Sequence, residues 1–178
     1  MSGLRGRWAQ GLEPRAFFWL IKDRLAGSER PGGFSRNHRK VRRSEELIWL
    51  KAHGFTHILS LLEGPHNLHA YEEAGLPYAQ IALGRGDDLV PTLTEIYATI
   101  ARWMADPDER VLVHHEECGD RLIGVFAGYL LSAGPVDSGP HAIQIVEKIT
   151  GRELGAEGRE IVSITIENGL GHAGNASS

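Results

Sequence analysis

Five residues separate His115 from Arg121 in the run Val111-Leu112-Val113-His114-His115-Glu116-Glu117-Cys118-Gly119-Asp120-Arg121. A β-branched apolar stretch ends there in polar residues, and an apolar, helix-like run from Leu122 to Leu131 begins at once. The pattern predicts a buried strand, a tight loop and a helix whose N-terminus faces the loop. Such a junction gathers unpaired backbone N–H groups at the positive end of a helix dipole, and is therefore suited to an anion. Arg121, in the first helical turn, adds a planar two-pronged donor of the kind that takes phosphate. His114, His115 and Cys118 are also metal-ligand types with carboxylates close by in sequence. Adjacent residues at a strand end send their side chains apart, which counts against a shared metal.

The stretch resembles the phosphate-binding loop of the protein tyrosine phosphatases and dual-specificity phosphatases. Their pattern is a strand, His, Cys, five residues, Arg, usually Ser or Thr, then a helix. His114 stands at the family's His and Arg121 at its Arg, and Asp120-Arg121 matches the Asp-Arg pair of a bacterial-type subset. Three positions depart from the pattern: His115 replaces the nucleophilic Cys, Cys118 stands where Gly is usual, and Leu122 replaces the hydroxyl residue. The resemblance implies an α/β, dual-specificity-phosphatase-like fold with a central, mostly parallel sheet flanked by helices. It implies phosphate binding by His115, Glu116, Glu117, Cys118, Gly119, Asp120 and Arg121. It also implies a general acid on a mobile loop ahead of a Pro and a helix. In Gly84-Arg85-Gly86-Asp87-Asp88-Leu89-Val90-Pro91, Asp87 fits that spacing best and Asp88 is the fallback. An acid there protonates the leaving oxygen; the alternative reading is that both acids simply open the following helix.

An imidazole at His115 cannot become the thiolate that a cup of N–H donors stabilises. The expected function is therefore that of a phosphatase-fold protein, a pseudophosphatase lacking the cysteine nucleophile, that binds phosphate or a phosphorylated ligand. The alternative is an active phosphoric monoester hydrolase with His115 as nucleophile or base, Asp87 as general acid and Arg121 as the third catalytic residue. A second alternative is a metal site of His114, His115 and Cys118. The leading reading includes no metal and no cofactor. The partners to expect are a phosphorylated protein, an inositol phosphate or another phosphate ester. Cys118 itself has no Arg at the required spacing, and is expected at a position that favours positive φ.

The remaining residues supply the frame. The chain has 178 residues, 42% hydrophobic and 24% charged, which is the composition of one globular domain with a real core. A net charge of −4 argues against non-specific nucleic-acid binding. The single cysteine excludes an internal disulfide, and the apolar run Ala16 to Ile21 is too short to cross a bilayer, so a cytoplasmic setting is expected. The expected organisation is a flexible arm over 1–14, a phosphatase-like domain over 15–168 and a disordered tail over 169–178. Strands are predicted at Ala16 to Ile21, in a short stretch around Leu25 to Ser28, at Thr56 to Leu62, at Tyr78 to Leu83 and at Val111 to His115. Helices are predicted from a Ser44 cap to about His53, and over His66 to Ala74, Thr92 to Ala105, Leu122 to Leu131 and Ser138 to Ile149. Gly155 to Ile166 fits either period, with Ile161 and Ile164 on a helical face and Val162 to Ile166 β-prone; the resemblance implies a helix there. Arg36, His38, Arg39, Lys40, Arg42 and Arg43 form a basic run. It reads either as a solvated loop leading into a helix or as a recognition loop for polyanions.

Overall fold

The computed structural model describes residues 11–86 and 88–170. Alternation of side chains across the strands organises it. On the central strand β5 (Val111–His115), Val111 and Val113 enter one apolar layer while Leu112 enters the other. Neighbouring β2 (Leu25–Glu29) divides Leu25 from Ala26 in the same way, and β3 (His57–Ser60) divides Leu59 from Ile58. A strand buried on both faces must be apolar at successive positions, which is why these runs are continuously hydrophobic. β1 (Phe18–Ile21) and β4 (Tyr78–Gln80) complete the sheet in the order β1-β2-β5-β3-β4. Only β1 runs antiparallel, against β2; the other pairings are parallel. The fold is thus the expected α/β arrangement with a mostly parallel central sheet.

Helices cover both faces. On one lie α1 (Lys40–Ala52) and α2 (Leu68–Glu73), which bury Leu47, Leu50 and Tyr71 against Ala26, Ile58 and Leu112. On the other lie α3 (Leu89–Met104), α4 (Asp120–Ser132), α5 (Gly139–Thr150) and α6 (Ala156–Glu167). α4 is apolar around most of its circumference because it is enclosed by the sheet, α5 and α6. Its closest neighbour is α6, where Gly124 faces Gly158. A Cβ on Gly124 would lie 2.6 Å from the Gly158 Cα, so this crossing requires a residue with no side chain.

α1 departs from expectation. Ser44 does not cap it; the helix starts five residues earlier, with Arg39 in the capping position, and the Ser44 hydroxyl donates back to the Lys40 carbonyl at 3.1 Å. Lys40, Arg42 and Arg43 therefore sit in the first helical turns rather than in a loop. Cations are unfavourable at a helix N-terminus, and buried Glu46 offsets Arg42 by accepting its Nε–H at 2.6 Å. The β4 and α2 elements are shorter than predicted, and α6 settles Gly155 to Ile166 as helix. The expected flexible arm and disordered tail fall mainly outside the described residues. Within them, the Leu12 N–H donates to the Glu45 carbonyl at 3.0 Å and Leu170 is buried in the core.

Candidate anion-binding loop

The last residues of β5 determine how the following loop is held. His114 is fully buried between Ser28 of β2 and Ser60 of β3. Its Nδ1–H donates to the His115 carbonyl at 3.3 Å, and its Nε2 accepts the Tyr71 hydroxyl at 2.7 Å. That hydroxyl accepts from Asn67, whose amide also donates to Pro31 and whose carbonyl accepts from Arg43. Burial pulls the His114 pKa down to about 3, so the ring is neutral.

Beyond it, four of the loop carbonyls are tied away. His114 takes the carbonyl of His115, the Arg30 N–H that of Glu116 at 3.3 Å, the Arg152 guanidinium that of Cys118 at 2.6 Å, and the Ile123 N–H that of Gly119 at 3.0 Å. The seven amides from Glu116 through Leu122 have no acceptor among the described residues. Buried or half-buried amides are almost always paired. A run of seven free donors, ending at the N-terminus of a thirteen-residue helix, is the electrostatic complement of an anion.

The side chains around this run take separate roles. His115 is largely buried, and its Nε2 lies 3.2 Å from the Leu83 carbonyl. A carbonyl can only accept, so Nε2 carries the hydrogen and the neutral ring keeps its lone pair on Nδ1. Burial lowers its pKa and the nearby Arg121 charge lowers it further, against opposing contributions from the Leu83 carbonyl, Glu116 and Glu63. Arg121 donates from NH1 to the Leu83 carbonyl at 2.9 Å and from NH2 to Gly84 at 2.5 Å. It is thus anchored to the segment leaving β4, with two of its five N–H groups used. The Asp120 carboxylate faces away from the loop and accepts the amides of Gly155 and Gly158, at 2.6 and 2.8 Å, at the start of α6. Only its own amide is left for a ligand.

Cys118 does not adopt positive φ, contrary to expectation, because its side chain turns into the core beside α4. Burial raises its pKa to about 11, despite the Arg152 charge. The trio of His114, His115 and Cys118 does not converge as a metal site. Both His114 nitrogens are engaged and the thiol is packed in the core, and among the described residues no cluster of three or more His, Cys, Asp or Glu is arranged for a metal. Asp88 has the helix-opening role: its Oδ1 accepts the Val90 N–H at 3.1 Å and caps α3. Asp87 lies outside the described residues.

A cleft of about 330 Å³ opens over the loop, lined by His115, Glu116, Glu117, Gly119, Asp120, Arg121 and Leu122, with Arg85 and Glu157 at 3.8 Å from each other beside it. The sequence pointed to none of Arg30, Arg152, Arg85 or Glu157. Arg30 and Arg152 reach the loop from 86 and 34 residues away in the chain, and no local spacing encodes such contacts.

Comparison with known proteins gives a fold. No family model and no curated sequence matches the chain. Solved structures do. Tk-PTP in its active form aligns with a TM-score of 0.68 and 20% identity, over 85% of this chain and 97% of that one. Kinase associated phosphatase, with its catalytic cysteine changed to serine, aligns with a TM-score of 0.72 and 18% identity, over 89% and 97%. The Yvh1 phosphatase domain from Chaetomium thermophilum aligns with a TM-score of 0.60 and 19% identity, over 91% and 99%.

Proposed function

With the fold of the protein tyrosine and dual-specificity phosphatases as the premise, we propose that this protein is a pseudophosphatase. It binds phosphate, or the phosphate of a monoester, on the loop from His115 to Arg121, without thiolate chemistry. One observation carries the reading: among the described residues seven consecutive amides lack acceptors, while the carbonyls of His115, Glu116, Cys118 and Gly119 are tied elsewhere. The nearest thiol, Cys118, is buried and protonated. Arg121 already lies beside the cleft and has N–H groups to spare. The partner in this reading carries a phosphate ester, on a protein or an inositol. The setting is the cytoplasm, in keeping with the lone cysteine and with the finding that no described helix is long and apolar enough to cross a membrane.

The test is ligand-linked stability. Inorganic phosphate should raise the unfolding free energy, by about 2.7 kcal/mol at a hundredfold excess over its Kd. Aryl phosphate should not be turned over. Indifference of the melting temperature to phosphate, sulfate and vanadate would end the reading.

The Nδ1 lone pair of a neutral His115 supports a second reading, an active hydrolase. In it, Nδ1 attacks phosphorus, the ester P–O bond breaks, and Asp87 gives its proton to the leaving oxygen. Water then cleaves the N–P bond. An acid-labile phosphoenzyme, lost in His115→Asn, would establish this reading over the first.

A further inference from the structure

Arg30 is the one basic residue that grips the loop twice. It follows β2 directly, where Glu29 pairs in register with His115. Its N–H donates to the Glu116 carbonyl at 3.3 Å, and its NH1 lies 3.6 Å from the Glu116 carboxylate. Arg30 is 8% exposed and its Nε has no hydrogen-bond partner among the described residues. Burying a guanidinium is expensive, and one carboxylate at 3.6 Å offsets little of that cost. Glu116, for its part, heads the run of free amides and lines the cleft with its side chain 38% exposed. A loose carboxylate there would repel the dianion that the amides attract, and an inward-turned carbonyl would do the same.

We propose that Arg30 is the positioning residue of the anion loop: its guanidinium holds the Glu116 carboxylate and cancels that negative charge, while its backbone N–H ties the Glu116 carbonyl. The role rests on the anion-binding reading above but concerns a residue outside the loop. Arg30 acts through Glu116 and needs no contact with the ligand. Its charge also reaches His38, Tyr71 and His114, whose protonated or ionised forms it biases accordingly.

Two measurements test it on the full chain. The first is inorganic phosphate affinity for wild type, Arg30→Gln, Arg30→Lys and Arg30→Gln/Glu116→Gln. The single Gln variant should bind about tenfold or more weakly, Lys should recover part of the loss, and the double variant should recover most of it. The second, which requires no ligand, is the NMR titration of the His115 imidazole. The groups facing it are Arg121, Glu116, Glu63 and the Leu83 carbonyl. Freeing Glu116 in Arg30→Gln should raise the His115 pKa, and removing that carboxylate as well should bring it back. If the double variant stays as impaired as the single one in binding and its His115 titration does not return, Arg30 is only a packing residue. If wild type binds no phosphate, the function proposed above fails, while the His115 titration alone still decides the role of Arg30.

Discussion

His115 is where this chain departs from the loop pattern it resembles. An imidazole whose Nε2–H is given to Leu83 shares that carbonyl with Arg121, so the two residues expected to do chemistry are both moored to the segment that leaves β4. A run of unpaired amides lies beside them, and converging donors are what a thiolate would need. His115→Cys should therefore create a thiol more acidic than an ordinary cysteine, stabilised by the same donors. Iodoacetamide alkylation against pH checks this: wild type should react slowly, because Cys118 is buried with a pKa of about 11. The variant should gain one fast site with an apparent pKa below the ordinary thiol value. A variant as inert as wild type would mean that the amides do not converge on that position.

At the scale of elements, the loop is a joint between β5 and α4, and α6 locks it. Asp120 begins α4 yet accepts the first amides of α6, while Arg152, in the connection between α5 and α6, holds the Cys118 carbonyl. Helix N-terminal amides need acceptors, and a carboxylate is the strongest one available. Asp120→Ala leaves those of Gly155 and Gly158 unpaired and should cost about 1.5–3 kcal/mol of stability, read by urea denaturation. Asn should recover part of the loss, since its carbonyl can still accept one amide. An Ala variant of wild-type stability would show that water satisfies the start of α6. The Asp-Arg pair of the sequence thus divides its work between two neighbours, α6 for the acid and the segment after β4 for the base.

At the scale of the molecule, His114 sits in the middle of the sheet as a neutral polar link from β5 through Tyr71 and Asn67 to Arg43. Its folded pKa of about 3 lies below the ordinary histidine value of 6.5. The unfolded chain therefore takes up a proton between those values and the native chain does not. Stability from this group is complete above the unfolded value and is lost as pH falls towards the folded one, by up to about 1.4 kcal/mol per pH unit. Denaturation midpoints measured from pH 7 down to pH 4 should fall more steeply in wild type than in His114→Asn. Equal slopes would place the acid sensitivity elsewhere.

The alternation of apolar residues on β5, the run of Leu122 to Leu131 and the His-x5-Arg spacing were enough to set the fold class and the position of the loop, because those features depend on local periodicity and on contacts within one junction. Asp88 as a cap was legible for the same reason. The start of α1 was misplaced because the basic helix start is made tolerable by Glu46, one turn on from Arg42, together with Glu29, which only the tertiary structure brings to Arg42. Which side chains face the cleft was equally beyond the sequence. The turning of Asp120 towards α6, of Cys118 into the core and of Arg121 towards Leu83 is decided by partners 35 to 38 residues away or by the packing of whole helices. Arg30, which closes the loop from the other end of the chain, is the extreme case: its importance exists only once β2 lies beside β5.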